Sequence, residues 1–302
     1  MKMKKLMLIF AALVLSTVAN AAPLRVFSCE PEWSALIAEI AGDRVNIYTA
    51  TTGRQDVHKI QPRPSLMAAA RRADLVVCTG ADFEIGWLPV LLRQAGNPRI
   101  QPGSTGYIEA AMLVDRIDIP TRLDRAEGDL HPQGNPHVQL DARNIAPIAR
   151  VLAERLGELD PGNRAFFEQR LADFSARWNE AIPRWEGRAA PLKGVPVIQH
   201  EMDFNYLTRW LGMPNVAMLE PKAGLPPTAA HLAGLLEQQK REPAKVIVRA
   251  PYQDARASNW LSERTQVPAT ALPTTIGGTS GAQDLFSLFD DAIDRLLSAV
   301  AD

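Results

Sequence analysis

Cysteine is scarce in this chain of 302 residues: it occurs only as Cys29 and Cys78. Neither stands at the end of the N-terminal leader, so lipid anchoring of the bacterial lipoprotein kind is not indicated. Beyond residue 21 no uninterrupted apolar stretch approaches twenty residues, and no membrane-spanning helix is expected there. No sign of charge dominates. Three of the 33 lysines and arginines fall in the leader, which leaves 30 against 34 acidic residues, a balance that points away from nucleic acid and anionic membranes. Also missing are a Walker-type phosphate loop, a Gly-x-Ser-x-Gly elbow and a His-Glu-x-x-His helix, the best-marked signatures of enzymatic chemistry.

The leader, residues 1–21, combines Lys2, Lys4 and Lys5 with the apolar run Leu6 to Leu15 and closes on Ala19-Asn20-Ala21. This is the pattern of a cleavable secretory signal, so the mature chain is expected to start near Ala22 as a free periplasmic protein. About 280 residues remain, more than one hydrophobic core comfortably serves, and two lobes are the natural expectation.

Strand-like runs alternate with amphipathic helical segments. Leu24 to Cys29, Val45 to Thr51 and Asp74 to Cys78 read as strands, and Glu32 to Ala41 and Pro64 to Ala73 as helices. Such alternation specifies parallel βαβ units. If the first and third strands are neighbours, Cys29 and Cys78 end at the same sheet edge, and an oxidising envelope favours a disulfide over two free thiols or a metal-thiolate pair. Between Val114 and Pro136 the apolar period dissolves into Asp, Arg, Pro and Gly, as in a mobile surface loop. Phe166, Phe167, Leu171, Phe174, Trp178 and Ile182 then define one long helix over 161–188, with Asp160 as its cap and a bend or break at Pro183. Val195 to Ile198, Lys245 to Val248 and Ala269 to Leu272 read as strands of a second lobe, closed by a helix over 284–300. The expected fold is therefore α/β: two doubly wound parallel-sheet lobes, 22–160 and 189–302, joined by a long rigid interlobe helix.

His58, His137 and His200 each lie in or beside a short polar turn at the margin of this core. Ligands of open α/β sheets gather at the carboxyl ends of the strands, where departing loops bring polar groups together. Histidines placed there on both lobes point to one divalent ion, with zinc the natural match for imidazole nitrogen.

The segments GRQDVHKIQPRPS (53–65), ADLVVCTGADFEIGWL (73–88), GNPHVQLDARN (134–144) and VIQHEMDFNYLTRWLGM (197–213) carry a resemblance that spans nearly the whole mature chain. It resembles the metal-binding proteins of bacterial zinc and manganese ABC importers. The resemblance implies two lobes on a rigid helix, an ion held in the cleft, and delivery to a membrane permease. It implies His58, before Pro-x-Pro-Ser, His137, in Asn-Pro-His, and His200, at a strand end, as ligands. Histidine at the third place favours zinc over manganese. For the fourth ligand the loop after the last strand offers only Asp284, with Glu30, Glu201 or water as substitutes. A monomer is expected, with a metal-donating chaperone as a further class of partner.

Two other readings stay open. An envelope zinc hydrolase would use a vacant coordination position and Glu201 or Asp203 as base, and a binder of a metal chelate would need an open polar cleft. His131 reads as a solvated loop histidine, with metal collection or steadying of the loop as the alternatives, and His231 as a surface or helix-packing histidine. Trp33, Trp87, Trp210 and Tyr206 read as packing walls of the cleft, and Asp56, Asn135, Asp203 and Asn205 as partners for imidazole N–H groups.

Overall fold

The computed structural model describes residues 22–122 and 131–301. The leader expected over 1–21, and the middle of the 114–136 loop, lie outside the described residues. No described helix is long and apolar enough to cross a membrane.

The first lobe is built on four parallel strands, β1 (Leu24–Ser28), β2 (Val45–Thr49), β3 (Leu75–Cys78) and β4 (Tyr107–Glu109), in the order β2-β1-β3-β4. The second lobe repeats the plan with β5 (Val197–Gln199), β6 (Asn215–Met218), β7 (Val246–Arg249) and β8 (Ala269–Ala271), in the order β6-β5-β7-β8. Parallel neighbours need long crossovers, and helices supply most of them. In the first lobe these are α1 (Pro31–Ala41) and α2 (Pro64–Arg72), both entered on a first-turn proline whose missing N–H costs nothing, and α3 (Leu88–Ala95). After α4 (Ala142–Leu159) and α5 (Arg164–Ala189), the second lobe carries α6 (Asn205–Leu211), α7 (Ala229–Gln239), α8 (Ala255–Thr265) and α9 (Leu285–Ala301).

β1 and β3 are neighbours, and Cys29 and Cys78 at their carboxyl ends form a disulfide with Cα atoms 4.8 Å apart. Closing a loop of 49 residues removes freedom from the unfolded chain. In the chain-entropy picture this is worth about 4 kcal/mol.

α5 is the helix between the lobes. Its expected first turn is a separate 3₁₀ turn, Pro161–Asn163, and Asp160 does not cap it but accepts from the Asn163 amide at 2.6 Å. Pro183 lies inside α5 without dividing it. An interior proline costs about 3 kcal/mol. Phe174, Trp178 and Trp185 on the same helix are fully buried, each worth roughly 1.5–3 kcal/mol, so packing outweighs the lost backbone bond. The N-terminal half is tied to the first lobe by Arg170, which donates to the Ala38 and Glu39 carbonyls of α1 (3.1 and 2.8 Å). Trp178 adds a bond to the Ala142 carbonyl at the start of α4 (2.8 Å). The C-terminal half packs Trp178 and Trp185 against Phe286 and Phe289 of α9, and Arg188 pairs with Asp290 and Asp294. One apolar core consequently runs beneath both lobes.

The lobes also touch directly. Gln139 donates to the Thr274 carbonyl at 3.1 Å, and Thr275 Oγ1 donates to the Glu32 carboxylate. Gly53 sits against the 276–278 loop so closely that a Cβ there would lie 2.3 Å from Gly278 N and 2.5 Å from Ile276 O. These contacts tie the first lobe to the segment that follows β8.

Candidate metal centre

His58 lies in a 3₁₀ turn, Val57–Lys59, on the long connection after β2. Asp56 caps this turn, accepting from the His58 backbone N–H and, at 3.0 Å, from ring Nδ1. Lys59 holds the other oxygen of Asp56 at 2.8 Å, and the Trp87 indole donates to the Val57 carbonyl at 3.1 Å. Burial works to raise the Asp56 carboxyl, but the bonds from His58 and Lys59 prevail and hold it well below the usual carboxylate range.

His137 follows Asn135 and Pro136, with its backbone N–H bonded to Asn135 Oδ1 at 3.0 Å. Asn135 in turn donates to the Met202 carbonyl of the second lobe at 2.9 Å. The buried His137 ring presents Nε2 to Asp203 Oδ1 at 3.6 Å. Asp203 is itself held by the Tyr252 hydroxyl (2.7 Å) and the Gln253 amide (2.8 Å). Burial lowers the pKa of His137 and outweighs the Asp203 carboxylate, which keeps the ring neutral. Tyr252 is pushed up by its burial and then by Asp203, so it remains a donor.

His200 follows β5 directly, anchored through its backbone N–H to Val248 O at 2.8 Å. The ring is buried, and Nε2 lies 3.5 Å from Glu220 Oε1. Glu220, just beyond β6, also accepts from the Gly224 N–H at 2.9 Å.

Each of the three imidazoles thus turns one nitrogen toward a carboxylate. The opposite nitrogen is not spent on the protein backbone: Nδ1 of His137 and Nδ1 of His200 are buried with no hydrogen-bond partner, and Nε2 of His58 faces the cleft-side histidine His131. A carboxylate behind an imidazole fixes its orientation and raises its basicity as a ligand. Unpartnered buried imidazole nitrogen is otherwise a net cost, so the donor set fits a divalent ion.

A cleft of about 830 Å³ is bordered by His58, His200, Glu220, Tyr252 and Trp260. A small cavity of about 20 Å³ beside it is bordered by His131, His137 and Asp203, with Glu201 shared by both. Phe83 stands edge-on to His58 and His137, with centroids 4.9 and 5.0 Å away, and gives the first-lobe rings a common apolar support. The histidine donors stand apart around this space and do not converge on a single point. Among the described residues, the only three ligand atoms of His, Cys, Asp or Glu mutually within 4.8 Å belong to Cys29, Cys78 and Glu84, and those sulfurs are joined in the disulfide.

Most of the other candidate residues separate from this cleft. Asp284 is exposed and caps α9, where its Oδ1 accepts from the Ser287 N–H (2.7 Å) and hydroxyl (2.8 Å). A helix start leaves free N–H groups that a short carboxylate satisfies, and this competes with any reach toward the cleft. Glu30 is interior, bonded to Thr79 beside the equally buried Glu84, and burial followed by the Glu84 and Glu32 charges raises its pKa well above the usual carboxylate range. Asn205 bonds Gln199 and Asp118, not an imidazole. Trp33 and Trp210 belong to the core and not to the cleft wall, whereas Tyr206 braces the Asn135 carbonyl at 3.0 Å. His231 bonds the Met218 carbonyl at 3.0 Å, as a packing histidine does. His131, expected in solvent, is half-buried, and its Nε2 lies 3.3 Å from Nε2 of His58. Burial, then the neighbouring His58 and His137, pushes its pKa down to about 3. Tyr252 and Gln253 join the site from the turn after β7, and Glu220 joins it without any mark in the sequence.

The family model described as "ZnuA: Zinc-uptake complex component A periplasmic" matches residues 26–299. The manganese ABC transporter substrate-binding lipoprotein PsaA of Streptococcus pneumoniae is 22% identical over 253 residues, covering 82% of this chain and 79% of the relative. The manganese ABC transporter substrate-binding lipoprotein scaA of Streptococcus gordonii is 23% identical over 296 residues, covering 95% and 92%. A crystal structure of ZnuA superposes with a TM-score of 0.76 at 22% identity, over 92% of this chain and 99% of that one. A Cd-bound periplasmic metal binding protein from Candidatus Liberibacter asiaticus does so with a TM-score of 0.74 at 17% identity, over 91% and 98%. At these identities the superpositions speak for the fold.

Proposed function

The chain belongs to the family of periplasmic zinc-uptake component A proteins, and from that premise we propose that it captures one zinc ion in the periplasm and delivers it to the membrane permease of an ABC importer. His58, His137 and His200 are the proposed ligands. The observation that carries this reading is the arrangement of the three rings: each is backed by a carboxylate, and none gives its opposite nitrogen to the backbone. Zinc is favoured over manganese because the proposed ligands are imidazole nitrogens, and manganese prefers oxygen. Asp203, the nearest carboxylate to His137, already has both oxygens engaged by Tyr252 and Gln253. The same engagement removes it as a general base, and the hydrolase reading loses its best residue. Asp284, engaged with Ser287 at the start of α9, is outside the proposed ligand set.

Competitive titration of the demetallated mature protein against a chelator tests the reading, with zinc and manganese each as probe. One equivalent of zinc bound more tightly than manganese is expected, with affinity collapsing in His58→Ala, His137→Ala and His200→Ala while the fold persists. Stoichiometric binding indifferent to all three substitutions would remove the cleft as the site. Preference for manganese would keep the site and overturn the choice of ion.

A further inference from the structure

We propose that His131 is a ligand of the same ion, paired with His58 across the lip of the first lobe. The proposal rests on the reading of the cleft as a metal site and adds a donor that the three-histidine set does not contain. Asp56 Oδ1, a pure acceptor when ionised, takes the Nδ1 proton of His58 at 3.0 Å. In the neutral ring this leaves Nε2 of His58 as a bare lone pair. That lone pair meets Nε2 of His131 at 3.3 Å.

Two ring nitrogens at that distance hold between them either a hydrogen, with the Nε2–H of His131 donating to His58, or a cation. Tetrahedral zinc with Zn–N bonds of about 2.0–2.1 Å places its nitrogen ligands about 3.3–3.4 Å apart, which is the separation found. His131 is also built into the site. It borders the small cavity with His137 and Asp203, its ring bonds the Ala81 backbone, and its centroid lies 5.2 Å from that of His58 and 6.5 Å from that of Phe83. Nothing in the loop after β8 competes for the role. Thr275 there is committed to Glu32, and Asp284 to the start of α9.

In consequence the first lobe contributes three imidazoles, His58, His131 and His137, and the second contributes His200. A four-nitrogen set of this kind suits zinc and disfavours manganese. It would also make the chain segment entering the Asn135-Pro136-His137 turn part of the grip on the ion.

The test uses the mature chain carrying His131→Ala or His131→Gln, with Zn2+ and Co2+ as probes and far-UV circular dichroism to confirm the fold. Zinc affinity is expected to fall by more than about tenfold. In the Co2+ form the visible ligand-field bands are expected to shift as a nitrogen is exchanged for a water oxygen. If both His131 variants match the parent in affinity and in Co2+ spectrum while His58→Ala loses the ion, His131 merely donates a proton to His58 and this proposal falls alone. If binding is indifferent to all four histidines, the metal reading of the cleft falls with it.

Discussion

The hydroxyl of Thr275, in the second lobe, donates to the carboxylate of Glu32, on the helix that follows the first strand of the first lobe. This contact is buried on both sides, and burial is what raises the pKa of Glu32 to about 7 despite the stabilising bond from Thr275.

Because the folded value lies above the ordinary 4.5, the native state binds the proton more tightly than the unfolded chain. The contribution to stability is complete below about pH 4.5 and is lost as pH rises through about 7, which amounts to on the order of 3 kcal/mol by pH 8. Glu32→Gln is expected to remove this loss and to raise the melting temperature at pH 8 more than at pH 5. Parallel melting profiles for parent and variant across that window would contradict the assignment.

Gly53→Ala is expected to destabilise by about 1–3 kcal/mol, because the added Cβ meets backbone atoms of Ile276 and Gly278 that cannot swing aside. A lower melting temperature of the variant, read by thermal denaturation, checks it. Unchanged melting would mean that the 276–278 loop yields freely.

Reduction of the Cys29–Cys78 bridge, or the double Cys29→Ala and Cys78→Ala change, is expected to cost about 4 kcal/mol in chemical denaturation. The proposed ligands do not include either sulfur, so zinc stoichiometry should survive. Loss of the ion from a folded, reduced protein would show that the sulfurs do more than close the loop.

Asp203→Asn keeps the shape beside His137 but weakens its orientation, and a fall in zinc affinity of about 10–100-fold is expected. Chelator competition measures it. An unaltered constant would assign Asp203 solely to its bonds with Tyr252 and Gln253.

Much of this architecture is legible in the sequence, because strands such as Leu75–Cys78, buried along their whole length, stand out as apolar runs between helical segments. β4 and β6 escape that reading: one has three residues, and the other is half-exposed along most of its length. His58, His137 and His200 are visible because each falls in a polar turn beside such a run. Glu220 is not, since it follows β6, and its equivalence to His58 after β2 emerges only once both sheets share one strand order. His131 reads as solvated in the sequence because its partner lies 73 residues upstream, a distance that no local pattern spans. The place of Asp284 after the last strand suggests a ligand, while the helix start beside it makes the stronger local claim.

Of the six tryptophans, Trp33, Trp87, Trp178, Trp185 and Trp210 are interior, and Trp260 alone borders the cleft, with the Arg264 guanidinium 4.1 Å from its ring centroid. The protein therefore carries its own optical probe. Five indoles give a steady, blue-shifted background, and the part of the emission that follows solvent access at the mouth of the cleft comes from one residue, so ion arrival can be timed in unlabelled protein and assigned to a single position with Trp260→Phe.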